Sequence, residues 1–282
     1  MSEKKIDQPA LQKLFEKACM LDIRSLKPGN VNTNSPSKNL NYLDFLKSIE
    51  ACSDIITQPN ILLEDRIFES IKSTINIVGT NTNLGIILLC APIIQAYYSR
   101  GKTNISENIH KEILSLDHNS TKKIYEGINL SMAGNMGSVE SFDLKGNDFQ
   151  NFYIVMKYAS SYDLIAWEYS NKFEIIFNDL TNKFSNFRNK YGSYEDACSA
   201  LYIYFLSKYP DTLISRKYGL DKAKDIQKIF YDLFMEVESI QDMYQIKEKL
   251  IQTDKVLKND DINPGTAADF VVATVFSNML IK

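Results

Sequence analysis

Histidine is almost missing from this 282-residue chain, which carries only His110 and His118. A histidine-based zinc site or a Ser-His-Asp triad therefore has little support, and any proton transfer falls to carboxylates. Cysteine is sparse too: Cys19, Cys52, Cys90 and Cys198 are scattered with no C-x-x-C pair. That spacing argues against a zinc ribbon, a dithiol redox motif or a disulfide framework, and it leads us to expect a reducing compartment, the cytoplasm. The N-terminal stretch lacks the apolar segment and small-residue cleavage site of a secretory signal. No G-x-G-x-x-G follows a strand pattern, and Gly134-Asn-Met-Gly137 lacks the Gly-Lys-Ser/Thr ending of a phosphate loop, which excludes Rossmann and P-loop folds.

Charge of one sign is missing as well. With 32 basic against 35 acidic residues and a net charge of -3, no global field recruits nucleic acid or an anionic membrane, so neither is expected as a partner. The longest apolar run, Leu84 to Tyr98, falls short of the roughly 20 residues needed to span a bilayer. What remains is globular: 44% hydrophobic and 24% charged, with only 11 Gly and 7 Pro to break helices.

Apolar residues recur at three- and four-residue intervals over Leu11 to Ile23, Tyr42 to Ile56, Ile61 to Val78, Ile105 to Leu116, Phe149 to Phe177, Tyr194 to Tyr209 and Ala223 to Leu257, the last broken near Ser239. That period predicts amphipathic helices and little or no sheet. Leu84 to Tyr98 is apolar all round, so it is expected as a buried central helix, kinked at Pro92 where partner helices could cover the freed carbonyl. Polar connectors are expected at residues 25–41, 99–104, 117–121 and 133–147. The chain's length allows one large domain or two packed halves. The expected architecture is all-α, one multi-helix bundle over residues 1–282 around that central helix.

Three polar clusters abut strongly apolar helices, as a buried anion site requires. In Asp22-Ile-Arg-Ser-Leu-Lys-Pro-Gly-Asn-Val31, Pro28 ends a helix and Gly29 permits positive φ, so Lys27 could be presented on a stiff turn; a plain helix-ending turn is the alternative. In Gly79-Thr-Asn-Thr-Asn-Leu-Gly85, Thr82 or Asn83 is a natural N-cap, yet the cluster holds more polar side chains than one cap needs. In Asp261-Ile-Asn-Pro-Gly-Thr-Ala-Ala-Asp269, Asn263 suits an N-cap with Pro264 at the first helical position. There, Gly265 is costly unless something approaches the backbone closely. Asp269 lies on an apolar face and needs a cation or a metal. Two further constellations supply charge: Pro210-Asp-Thr-Leu-Ile-Ser-Arg-Lys217, suited to phosphate oxygens or to a surface ion pair, and Asp163 with Glu168, which point in different directions on one helix.

Taken in order, Lys27-Pro-Gly-Asn-Val31, Thr80-Asn-Thr-Asn-Leu-Gly85, Asp163-Leu-Ile-Ala166, Pro210-Asp-Thr-Leu-Ile-Ser-Arg-Lys217 and Asn263-Pro-Gly-Thr-Ala-Ala-Asp269 resemble the triphosphoribosyl-dephospho-CoA synthase family over nearly the whole chain. The resemblance implies a mainly helical transferase that uses ATP and 3'-dephospho-CoA. In that reaction the acceptor's ribose 2'-hydroxyl attacks the anomeric carbon of ATP and adenine leaves. The product is the precursor of a prosthetic group for an acyl carrier protein. Such a displacement needs carboxylates near the sugar, for which Asp22, Asp163, Asp211 and Asp269 are the candidates. The triphosphate needs cations and helix amides, for which Lys27, Gly29, Asn30, Asn81, Asn83, Gly85, Arg216, Lys217, Asn263 and Gly265 are placed. Mg²⁺ is expected on Asp163 and Asp269. A hydrolase that cuts an N-glycosidic bond and a non-enzymatic nucleotide-binding protein are the competing readings.

Overall fold

The computed structural model describes residues 6–33, 35–36, 40–133 and 151–281. Among the described residues there are fourteen α-helices and no strand beyond an isolated bridge between Asn32 and Ser35. In chain order they are α1 (Gln8–Arg24), α2 (Tyr42–Ile56), α3 (Leu63–Val78), α4 (Leu84–Arg100), α5 (Ile105–Leu114), α6 (His118–Ala133), α7 (Phe152–Ala159) and α8 (Leu164–Ser170). A π-helical segment (Ile175–Leu180) leads into α9 (Thr181–Tyr191), α10 (Tyr194–Lys208), α11 (Thr212–Tyr218) and α12 (Leu220–Ser239); a 3₁₀ turn (Met243–Ile246) then precedes α13 (Lys247–Asn259) and α14 (Gly265–Ile281). No single described helix is long and apolar enough to cross a membrane.

The chain divides into two compact units, the first of Met1–Glu16, Asp44–Glu174 and Ile281, the second of Lys17–Leu43, Ile175–Leu280 and Lys282. In the first unit α4 is buried on every side, as its unbroken apolar surface demands. Pro92 cannot donate to the carbonyl four residues back, Leu88, and the Tyr169 hydroxyl of α8 donates to that oxygen instead at 2.6 Å. The expected cover for the freed carbonyl is thus a named side chain. Asn83, one of the two expected residues, holds the N-cap position but makes no side-chain cap bond; Asn81 Oδ1 accepts from the Leu84 amide at 3.1 Å instead. Thr82 instead bonds the Ser48 hydroxyl, and Asn83 donates to Cys52 Sγ.

Two expectations for this unit are corrected. Phe149 to Phe177 is not one helix, because local chemistry interrupts its periodicity. Asn151 caps α7 by accepting from Tyr153, Asp163 caps α8 by accepting from Ala166, and Lys172 and Phe173 take left-handed φ of 55° and 59°. Residues 117–121 are not a connector but the start of α6, where Asp117 Oδ1 accepts from the Ser120 amide at 2.8 Å. His110 accordingly lies on α5, edge-on to Tyr153. The connector expected over residues 133–147, with its Gly134-Asn-Met-Gly137 stretch, lies outside the described residues after its first position.

The second unit has buried helices of its own, so α4 is not the molecule's single enclosed helix. Ala197 to Leu206 of α10 are all buried, and α14 is buried over nearly its whole length. Phe205 and Phe270 join these two helices with ring centroids 4.7 Å apart. Together α10 and α14 form the apolar wall against which the polar N-terminal end of α14, the start of α11 and the turn after α1 are set.

Candidate active site

The second unit gathers Asp22, Lys27, Gly29, Asn30, Asp211, Arg216, Asn263 and Asp269 around the N-terminal end of α14. Its foundation is the turn that follows α1. Gly29 adopts φ +86°, and a Cβ there would lie 2.9 Å from both the Ile262 carbonyl oxygen and Pro264 Cδ. Only glycine fits so close to another backbone in that conformation. The turn is tied down from several directions. The Tyr202 hydroxyl of α10 donates to the Pro28 carbonyl at 2.9 Å, the Gly29 amide donates to Asp254 Oδ1 of α13 at 2.8 Å, and Asn30 Nδ2 donates to Asn263 Oδ1 at 2.8 Å.

Lys27, expected as a cation presented on a stiff turn, is wholly buried. Its ammonium forms an ion pair with Asp22 Oδ2 and donates to Asn30 Oδ1 at 2.8 Å, with the Tyr202 ring 6.0 Å away. The physical reason is Asp22, itself 5% exposed, which would carry an uncompensated buried charge without this partner. Burial pushes the Asp22 carboxyl above the usual carboxylate range, and Lys27 pulls the other way without reversing it. The second oxygen, Asp22 Oδ1, is buried with no hydrogen-bond partner. Most buried acceptors in folded proteins are paired, so this oxygen stands out at the site.

Asp211 has the opposite character, because both of its oxygens are spent on helix starts. Oδ1 caps α11 by accepting from the Leu213 and Ile214 amides at 2.9 and 3.1 Å, and Oδ2 accepts from the Ala267 amide of α14 at 2.9 Å. Burial pushes its carboxyl up to about 6, with the three amides and Arg216 acting against that rise. One carboxylate therefore fixes the N-terminal ends of two helices, and the expected cap of α14 by Asn263 gives way to it. Gly265 is explained by the same junction: a Cβ there would meet Leu213 Cδ2 at 2.7 Å, so the close approach is a side chain of α11.

Asp269, one turn into α14, is only half-buried, and its side chain makes no hydrogen bond. Its carboxyl is pushed well above its ordinary value, chiefly by burial, then by the Asp22 and Asp211 charges; Lys27 and Arg216 act against the shift. Arg216 is exposed and free of ion pairs, within electrostatic reach of Asp269 and Asp211. Lys217 is engaged elsewhere, in an exposed ion pair with Asp261 at 2.6 Å. Asn81, Asn83, Gly85 and Asp163 belong to the first unit, and Asp163 spends Oδ1 on capping α8.

Asp254 and Lys258 were not singled out in the sequence. The signal was present: Leu250, Asp254 and Leu257 are the buried residues of α13, so an acid sits on its apolar stripe. A divalent cation is tested by the same geometry. Among the described residues no group of three or more His, Cys, Asp or Glu side chains could hold a metal. However, Asp22 has one oxygen without a hydrogen-bond partner, and its charge helps raise the proton affinity of the nearby Asp269. That donor set fits a magnesium ion held by one or two carboxylates and completed by substrate phosphates.

No functionally curated protein matches the chain. A crystal structure of a candidate triphosphoribosyl-dephospho-CoA synthase from Archaeoglobus fulgidus shares the fold, with a TM-score of 0.64 at 23% identity, covering 84% of this chain and 98% of that one. The model of the CitG family, described as ATP:dephospho-CoA triphosphoribosyl transferase, matches residues 8–282. A match of that extent takes in every ordered motif from the Lys27 turn to Asp269, and the chain belongs to the ATP:dephospho-CoA triphosphoribosyl transferase family.

Proposed function

We propose that the second unit carries the chemistry of this transferase, at the junction of the Lys27–Asn30 turn with the N-terminal end of α14. The family's reaction joins ATP to dephospho-CoA. In it the bond between the anomeric carbon and adenine breaks, a bond from that carbon to the acceptor hydroxyl oxygen forms, and the hydroxyl proton must go to a base. Asp269 suits that base. It is partly exposed, its side chain makes no hydrogen bond, and its proton affinity is raised well above the ordinary carboxylate value, which strengthens it as a proton acceptor. That combination is the observation that carries the reading.

Asp22, through its open Oδ1, would hold Mg²⁺ together with the substrate phosphates, and the ion would neutralise triphosphate charge. Arg216, uncommitted and exposed, serves the phosphate oxygens by paired hydrogen bonds. Lys27 acts one layer further in, keeping Asp22 in place. Asp211 acts through the backbone, orienting α11 and α14. The four cysteines are all free thiols and buried, which supports a reducing cytoplasm as the place of action. The product fits a role as precursor of an acyl carrier protein's prosthetic group.

The test is incubation of the purified protein with ATP, Mg²⁺ and 3'-dephospho-CoA, following free adenine and adduct mass. Acceptor-dependent adenine with the matching adduct, lost in Asp269→Asn, is the expected result. Adenine without an acceptor would move the reading to an N-glycoside hydrolase, and full activity in Asp269→Asn would remove Asp269 from the chemistry.

A further inference from the structure

Gly29, in the turn that carries Lys27 and Asn30, and Ser35 are both held by a single side chain of α13. Asp254 Oδ1 accepts from the Gly29 amide at 2.8 Å, and Asp254 Oδ2 accepts from the Ser35 hydroxyl at 2.6 Å. Asp254 is 4% exposed, so its charge needs compensation, and Lys258 one turn later supplies it at 3.0 Å. Lys258 also donates to the Ser35 carbonyl oxygen at 2.7 Å and the Ser35 hydroxyl at 2.6 Å, closing a ring of three residues. The Lys258 ammonium lies within electrostatic reach of Lys27.

An amide acceptor is needed here for a local reason. The left-handed Gly29 turns its N–H away from α1, toward α13, where water is excluded by Leu257 and Ile262. An unpaired amide in that position would be costly, and any shift that paired it elsewhere would move Lys27 and Asn30 with it.

We propose that Asp254, supported by Lys258, is a positioning residue for the transfer reaction: it fixes Gly29 and Ser35 so that Lys27 and Asn30 hold Asp22 and Asn263 in reactive geometry. This rests on the reading that the Lys27 turn belongs to the catalytic centre. Asp254 does not touch substrate; it acts through the turn. Asp254→Ala lets the turn relax, whereas Asp254→Asn keeps one oxygen to accept from Gly29. Misplacement on the order of 1 Å costs roughly 100-fold in reactions that depend on orientation.

The experiment measures kcat and KM for both substrates at a temperature where circular dichroism shows each variant folded. Asp254→Ala is expected to lose about 10- to 100-fold in kcat/KM for ATP, Asp254→Asn to recover most of it, and Lys258→Met, which keeps the carboxylate, to fall between. The Asp254→Ala loss should largely vanish in a Lys27→Met background, since both act on one geometry. Additive losses, or Asp254→Ala and Lys258→Met that are less heat-stable yet kinetically wild type, overturn the proposal and leave a purely structural ion pair. An inactive wild-type protein would refute the parent reading and this one together; an active wild type with an additive cycle refutes this one alone.

Discussion

Replacing Lys27 by methionine isolates the most consequential interaction in the centre. The substitution removes the ammonium from a fully enclosed site and leaves Asp22 buried without its ion-pair partner. Breaking a buried pair from one side costs about 3–5 kcal/mol, and at about 2–4 °C per kcal/mol for a protein of this size the melting temperature should fall by roughly 6–20 °C. The pH dependence follows from Asp22. Its folded-state proton affinity is already raised by burial, and Lys27 provides both of the influences that lower it. Without Lys27 the carboxyl rises further, so the penalty is absent below the unfolded value of about 3.9 and grows as pH climbs through the folded one. Lys27→Met should therefore be worst on the alkaline side and recover on acidification. Urea unfolding of Lys27→Met, Asp22→Asn and the double variant, repeated across pH, measures the coupling. The double variant should be more stable than the sum of the single losses predicts by about 2 kcal/mol or more, within the range seen for residues in direct contact. A coupling below about 0.5 kcal/mol, or a Lys27→Met loss independent of pH, would show that the ammonium does not compensate Asp22.

Asp269→Asn should abolish transfer yet raise the melting temperature once the pH is above the ordinary carboxylate range of about 4. A group with a raised folded pKa contributes stability that is present at low pH and lost as pH rises, so the gap over wild type should widen with pH in a thermal scan. Gly29→Ala should destabilise by about 2–5 kcal/mol, combining a left-handed residue with overpacking against the Ile262 carbonyl and Pro264; denaturant midpoints test it, and an unchanged midpoint would contradict the close approach. Asp211→Ala should cost on the order of 3 kcal/mol through the amides it strands at α11 and α14. With its carboxyl at about 6, the Asp211 contribution is fully present below about 4 and lost as pH rises through about 6. Asp211→Asn, which cannot ionise, should flatten the stability curve between those values.

Local sequence determined most of the secondary structure. The three-four apolar spacing placed α2 and α10 within a residue of their observed ends, and the all-round apolar run announced α4 together with the carbonyl that Pro92 would free. The order of the motifs carried the family, because each motif is a short stretch of neighbours. Where local polar chemistry cut across periodicity, at Asn151, Asp163 and Lys172–Phe173, the same spacing misread three segments as one.

The roles of the charged residues were decided only by tertiary structure. Lys27 reads as a ligand-facing cation in its turn, and it faces inward because burial of α1 takes Asp22 out of water and requires a counter-charge there. Asp211 reads as a catalytic acid, and it is a cap because packing brings the Ala267 amide, 56 residues away, to its second oxygen. Asp254 reads as an ordinary helix acid until the Gly29 amide, 225 residues away, arrives against it. A helix follows from hydrogen bonds four residues apart, which neighbouring side chains can encode. A buried charge is governed by which partner packing delivers to it, and that partner is chosen by the shape of the whole core.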